Sequence, residues 1–443
     1  MPDITIEWGD GTTEECTTIQ PTHTYTDAGT YVIKIAGNMP RWQFSEVSTS
    51  KDYITGLKQW GNIGIVYISF SGCTNLEGTI PKHKTKGEFA HLYSVSFLFN
   101  NCNKITGKIP EDLFEGSGKL CYAVSVFYGC TGLTGNIPKY LLKDTTKIAT
   151  LNGFFRHCSG ITGKIPEDLF KNCAKASNFS LIFKNTSITE IPADIFDINN
   201  GQPNGIKMVY GAFCGTLITQ IPEGIFDLCV NIEKFGEITS TGNAHDGVFQ
   251  NCKLLEKVPE KLFYKNTKAV NFGCVFYGCS SLKEIPENIF NTSQPNVIMN
   301  GSFEYCSSLT KIPGKIFENV PNISDYKLLF GDCPNLIEIG KEFKISDSAI
   351  NMYGTFRNCD KLSVFPDKII IPENVNNIIL LFNKCRELKT TILLKTNSAE
   401  HDWSTFLNVN SESRVNWSSP CTEEFVDTLL TTSGNTAIKG VQE

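Results

Sequence analysis

The chain has 443 residues, 41% of them hydrophobic and 19% charged, with a formal net charge of −6. That acidic balance, with its 40 basic residues dispersed, argues against a nucleic-acid partner, and no apolar run reaches the roughly 18 residues a membrane span needs. A single hydrophobic core stops growing beyond about 250–300 residues, so the chain is either several globular domains or an array of repeats.

In chain order, residues 4–35 read as a small β unit. Ile4-Thr5-Ile6-Glu7-Trp8 alternates as a strand, Gly9-Asp10-Gly11-Thr12 is a hairpin turn, and Ala28-Gly29-Thr30-Tyr31 opens a further strand through Ile35. Asp10 is a turn former in this reading rather than a metal ligand. The expected boundaries are 1–38 for this unit, 39–65 for a connector or N-terminal cap, 66–392 for a repeat array and 393–443 for a C-terminal cap or attachment segment.

The array announces itself through Phe-x-x-Cys, which returns every 26 to 30 residues over most of its length. The copies are Phe70/Cys73, Phe99/Cys102, Phe127/Cys130, Phe155/Cys158, Phe249/Cys252, Phe276/Cys279, Phe303/Cys306, Phe330/Cys333, Phe356/Cys359 and Phe382/Cys385. Phe183/Thr186 and Phe213/Thr216 are degenerate copies that bring the expected total to about 12 repeats. A period of this length marks a stacked solenoid, in which each repeat buries its apolar face only against its neighbours. After each Cys comes a Leu-x-x-Ile-like step and usually a proline. This is expected to be a short parallel strand, stopped where proline cannot donate to the ladder. The apolar residue four before each Phe (Leu151, Val209, Phe272, Met299, Met352) fits either a helical turn or a strand. The fold class expected is therefore a β-rich (α+β) repeat solenoid with a small N-terminal β unit and a C-terminal cap.

One Cys per repeat at an equivalent position gives side chains that point the same way, whereas a disulfide needs opposed Cβ vectors. No Cys-x-x-Cys pair occurs. The 17 cysteines are thus expected to be reduced structural thiols, and no metal or other cofactor is implied.

Outward positions supply the candidate surfaces. Lys257, Glu284, Lys311 and Glu338 occupy one position in consecutive repeats and predict a charge ladder of alternating sign. Thr106, Thr134, Thr162 and Thr189 form a neutral hydroxyl stripe, the favoured ligand-binding side. A 36-residue interval holds an insertion at 233–245, expected to be a surface loop. The tail carries Trp403, Trp417 and a helix over Thr422–Thr431 with Thr422 as N-cap. No catalytic motif is found, and the six histidines lie without carboxylate or cysteine partners at useful spacing. His157, inside a Phe-x-x-Cys, reads as a surface substitution. A non-enzymatic protein is expected.

On these residues the chain resembles the BspA-type leucine-rich-repeat family of bacterial surface proteins and related phage proteins. Trp8-Gly9-Asp10-Gly11-Thr12, with His23-Thr24-Tyr25 and Ala28-Gly29-Thr30-Tyr31, resembles the second half of a PKD-like β-domain. Gln59-Trp60-Gly61-Asn62 resembles the lead-in of the family's repeats. The resemblance implies an adhesion or interaction protein. Met1–Trp8 lacks the basic and apolar regions of a secretory signal, and that, with the wealth of thiols, favours a bacteriophage virion component that contacts the host surface. The partners expected are a host surface receptor or glycan and other virion proteins. The alternative is a secreted bacterial adhesin that binds host protein or glycan.

Overall fold

The computed structural model describes residues 2–18, 20–44, 49–238, 244–397, 404–406, 408–431 and 436–443. Residues 239–243 of the insertion, His401 and Trp403 lie outside them. The chain divides into two compact units, Met1–Ile188 with Asp197–Gly201, and Thr189–Phe196 with Gln202–Glu443. Both are parallel β-solenoids, with about 15 turns in all, and the pairing register shows it. In the first unit Arg41–Gln43 pairs in parallel with Tyr67–Ser69, and Gly78–Thr79 with Ile105–Thr106. In the second, Lys311–Ile312 pairs in parallel with Glu338–Ile339, residue for residue. The strands of the coils are mostly two to four residues long; Lys311–Ile312 and Lys368–Ile371 end directly at Pro313 and Pro372, which cannot donate to the ladder.

The N-terminal strands Asp3–Glu7, Thr13–Cys16 and Lys34–Asn38 form an antiparallel sheet with the first strand in the centre. The third strand starts later than the sequence suggests. Tyr31 stacks on Tyr25 at 4.1 Å and donates its hydroxyl to the Asp27 carbonyl, which holds the chain before Lys34 in a loop.

The segment around each Phe is neither helix nor strand. The carbonyl four residues before Phe accepts an i→i+3 bond, as in Phe154 N to Leu151 O and Ser302 N to Met299 O. The residue two before Phe and the residue two after it then take left-handed backbone. In one coil these are Phe97 and Asn101 (φ 63° and 61°), in another Leu328 and Asp332 (φ 54° and 56°). The second position reads Gly72, Asn101, Gly129, His157, Asn185, Gly215, Asn251, Gly278, Tyr305, Asp332, Asn358 and Lys384, all at positive φ. Gly, Asn, Asp and His dominate it because they reach this region at least cost. His157 is therefore present for its backbone conformation rather than as a chance surface substitution. A Cβ at Gly278 would lie 2.3 Å from Asn251 Oδ1 in the coil before, so the Asn251 side chain would have to turn aside.

At this turn the bonding between coils runs forward. The amides of Phe97, Phe99 and Asn101 donate forward to the carbonyls of Val124, Val126 and Tyr128 at 2.7–2.8 Å. Those of Cys274, Phe276 and Gly278 donate in the same way to Asn300, Ser302 and Glu304.

Inside the turns the rings form columns. In the first unit Phe44, Phe70, Phe99, Phe127, Phe155 and Phe183 stack with centroids 5.7–6.0 Å apart. In the second, the column runs Phe213, Phe249, Phe276, Phe303, Phe330, Phe356, Phe382 and Phe406, with steps of 5.1–6.2 Å. A second column of Phe226, Phe263 and Phe290 packs against its edge. Each offset ring pair adds about 0.5–1.5 kcal/mol beyond area burial.

The thiols form a column of their own. All 17 cysteines are free. The Sγ of Cys102, Cys130 and Cys158 donates to the carbonyl of Phe70, Phe99 and Phe127, the Phe of the preceding coil, at 2.8–3.1 Å. Cys252, Cys279, Cys306, Cys333, Cys359 and Cys385 do the same to Phe213, Phe249, Phe276, Phe303, Phe330 and Phe356 at 3.0–3.2 Å. Cys73, in the first of these coils, is fully buried as well. In the degenerate copies Thr186 and Thr216 donate instead to their own coil's Phe carbonyl at 2.8 Å. Burial pushes the Cys306 and Cys359 thiols up to about 12, so each stays a neutral donor.

Parallel winding runs past the Phe-x-x-Cys copies. Lys368–Ile371, Thr391–Leu394, Arg414–Trp417 and Ile438–Gln442 build one four-stranded parallel sheet. The helix beside it is Glu423–Leu430; its N-cap Thr422 accepts from Phe425 N at 3.2 Å.

Candidate binding faces

With the rings and thiols turned inward, the outward side chains of each unit carry what chemistry the molecule offers. Thr106, Thr134, Thr162 and Thr189 are all exposed. The hydroxyls of Thr106 and Thr134 donate at 3.4 Å to the carbonyls of Gly78 and Gly107 in the coil before, and Thr162 N bonds Gly135 O. Thr189 belongs to the second unit and the other three to the first. Of the charge ladder, Lys311 and Glu338 form an ion pair at 3.0 Å, with Glu284 in bridge register beside Lys311 and Lys257 beside Gln220. The insertion begins and ends as an antiparallel hairpin, Glu237–Ile238 against Ala244–His245.

Folding brings together pairs that linear spacing hides, and three histidines find carboxylates. His23 Nε2 lies 2.7 Å from Asp10 Oδ2, His83 Nδ1 2.7 Å from Glu88 Oε2, and His245 Nδ1 2.9 Å from Asp246 Oδ2. Asp10 accepts from Thr12 Oγ1 and Thr12 N, closing its turn; these bonds and His23 hold its carboxyl well below the usual range. His23 also stacks on Trp8 at 4.7 Å, and the Tyr25 hydroxyl bonds Trp8 O. The His83–Glu88 pair is buried, with His83 Nε2 2.9 Å from Leu113 O. Each pair locks one local turn or coil.

A half-buried polar cluster, with Glu304 its buried member, sits in the second unit between Phe and Cys of successive coils. Arg357 bonds Asp332 through Nε at 3.1 Å and through its terminal nitrogen, which also lies 3.6 Å from Glu304 Oε1. Asn358 donates to the other Asp332 oxygen. Burial pushes the Glu304 carboxyl up to about 7, with Asp332 adding to the rise and Arg357 and Lys327 opposing it.

The first unit presents an aromatic face that the repeat template does not reveal. Tyr67 and Tyr93 meet edge to face at 5.9 Å, and Tyr93 and Tyr122 at 5.4 Å. Tyr93, Phe97 and Tyr122 are 37%, 45% and 43% exposed, too much for core positions. Arg41 lies 4.7 Å over the Tyr67 ring, and Arg156 5.2 Å over Tyr128. Tyr67, Tyr93 and Tyr122 stand three, six and five residues before Phe70, Phe99 and Phe127, so alignment on Phe scatters them and only the folded register brings them together.

Among the described residues no helix is long and apolar enough to cross a membrane. No family model matches the chain, and no curated protein matches it. Among solved structures, a leucine-rich cell surface protein from Faecalibacterium prausnitzii aligns over 94% of this chain and 100% of its own, at 18% identity and a TM-score of 0.39. The plant peptide hormone receptor RGFR1, solved in complex with RGF2, aligns over 88% of this chain and 71% of its own, at 14% identity and a TM-score of 0.21. The leucine-rich repeat domain of APL1 aligns over 75% and 88%, at 11% identity and a TM-score of 0.25. The parallel-coil fold itself rests on the strand register and the ring and thiol columns.

Proposed function

We propose that the protein is a non-catalytic binding module that presents its coil faces to a macromolecule at a bacterial cell surface. The observation that carries this reading is the division of labour within each coil. Phe, Cys and Leu or Ile are consumed in holding coil to coil, while large aromatic side chains such as Tyr93, Phe97 and Tyr122 stand outside the core. Exposed aromatic clusters on a rigid scaffold are the usual material of interaction surfaces. A secreted adhesin uses such a face from the cell that makes it, and a phage virion component uses it from outside. Reduced thiols fit assembly in a reducing cytoplasm, but burial of 16 of the 17 preserves them in either setting. Immunogold labelling of producing cells and of any particles they release separates the two locations. Saturable binding of the pure protein to bacterial envelopes is expected; turnover of a glycan or peptide that one point mutation abolishes would overturn the reading.

A further inference from the structure

We propose that the aromatic face of the first unit binds an acidic polysaccharide, a polymer with a carboxylate and an apolar ring face on each sugar. This rests on the binding-module reading and names the partner. In four consecutive coils the segments 89–102, 117–130, 145–158 and 173–186 contain no Asp or Glu. Their charges are all of one kind: Lys119, Lys147, Arg156, Lys175 and Lys184, with His91 and His157 beside them. Backbone bonds Cys121 N to Tyr93 O, Ala149 N to Cys121 O and Ser177 N to Ala149 O fix the register. That register stacks His91, Lys119, Lys147 and Lys175 in one exposed column, one residue per coil, and Lys119 Nζ lies 3.4 Å from His91 Nδ1.

Strands in adjacent coils are about 4.8 Å apart, and like charges directly opposite one another destabilise a sheet. The second unit alternates sign, as Lys311 and Glu338 show. The His91, Lys119, Lys147 and Lys175 column of the first unit does not, although Lys143 and Glu115 pair at 3.3 Å elsewhere in that unit; among the described residues Lys147 and Lys175 enter no such pair. A bound polyanion relieves this repulsion. Beside the cations, Tyr93 and Tyr122 offer ring surface to solvent, which suits the C–H face of a pyranose. An acidic peptide is the competing occupant, but protein hot spots centre on anchors seated in pockets. This face instead repeats a cation from coil to coil beside exposed rings, the pattern a polymer with one charge and one ring per unit matches.

The test titrates the full-length protein with polygalacturonate, neutral dextran and poly-L-glutamate, following tryptophan and tyrosine fluorescence and gel retardation. Polygalacturonate is expected to bind, dextran not, and the affinity to fall as salt screens the exposed charges. The triple variant K119Q/K147Q/K175Q is expected to bind about tenfold more weakly, three exposed charge pairs having been lost. Lys311→Gln in the second unit serves as the control and is expected to bind like wild type. Tyr93→Leu, with an unchanged melting curve, is expected to weaken polygalacturonate binding while leaving its salt dependence in place. No binding to polygalacturonate, equal binding by the triple variant, or equal binding of poly-L-glutamate overturns the proposal. Undiminished attachment of the triple variant to bacterial envelopes would remove this partner while leaving the binding-module reading intact.

Discussion

Phe303 is the place to ask whether the ring columns hold the coils together or merely fill them. Its side chain is fully buried, stacked at 5.6 Å on both Phe276 and Phe330 at interplanar angles of 15° and 11°, with Phe290 edge-on at 6.3 Å. Phe303→Ala removes the ring and leaves a cavity, and is expected to cost about 3–5 kcal/mol. Phe303→Leu keeps most of the apolar volume and loses the two stacked pairs, so about 1–3 kcal/mol is expected from those pairs alone. The decisive measurement is a double-mutant cycle with Phe276→Leu, read by amide hydrogen exchange in the coils concerned and by urea unfolding. Local exchange is needed because solenoids open coil by coil. Coupling between positions 276 and 303 is expected at about 0.5–1.5 kcal/mol, whereas Phe276→Leu with Phe356→Leu, three coils beyond Phe276, is expected to be additive within about 0.5 kcal/mol. Equal coupling in both cycles, or none in either, would refute the column as a cohesive element and leave phenylalanine as filler.

Three other outcomes follow from the same geometry. Glu304 is held near 7 in the folded state against 4.5 unperturbed, so its contribution is fully present below about pH 4.5 and is lost as pH rises to about 7. The loss is on the order of 3 kcal/mol at about 1.4 kcal/mol per unit; urea midpoints from pH 4.5 to 7.5 should show it, and Glu304→Gln should flatten that part of the profile. Lys384 holds left-handed backbone at φ 60° in an exposed turn, so Lys384→Asn is expected to raise stability by about 0.5–1 kcal/mol in thermal or urea melts. Iodoacetamide in native buffer is expected to label Cys121, the cysteine that is not buried, and the others only after unfolding. Rapid native labelling at Cys306 or Cys333, read by peptide mass mapping, would contradict the thiol column.

The columns were legible because an inward position in a repeat cannot change without disturbing both neighbours. Phenylalanine and cysteine therefore recur at fixed spacing, and the period marks them. The left-handed position was written just as plainly, as Gly72, Asn101, Gly129 and His157 in succession, but composition alone does not show that a backbone angle selects those residues. Met299 and Phe303 fit two periodicities at once, and the turn that satisfies neither comes from bonds to the following coil rather than from local preference. The coils lacking the Phe-x-x-Cys signature, at Arg41–Gln43 and from Arg414 onward, were invisible for a related reason. There the ring persists in Phe44 and Phe406 without its cysteine. Outward positions are free to vary, so Tyr67, Tyr93 and Tyr122 leave no regular trace. His83 and Glu88 meet only once the coil has closed.

The forward aim of the amides around each Phe gives the chain a direction of completion. A coil leaving the ribosome can close its own short turns at once, but those amides wait for carbonyls synthesised some 27 residues later. Growth from the N-terminus therefore carries a moving front of unanswered donors at the Phe segment, sealed one winding at a time, whereas amides such as Cys121 N and Ala149 N find the carbonyls of the preceding coil already made.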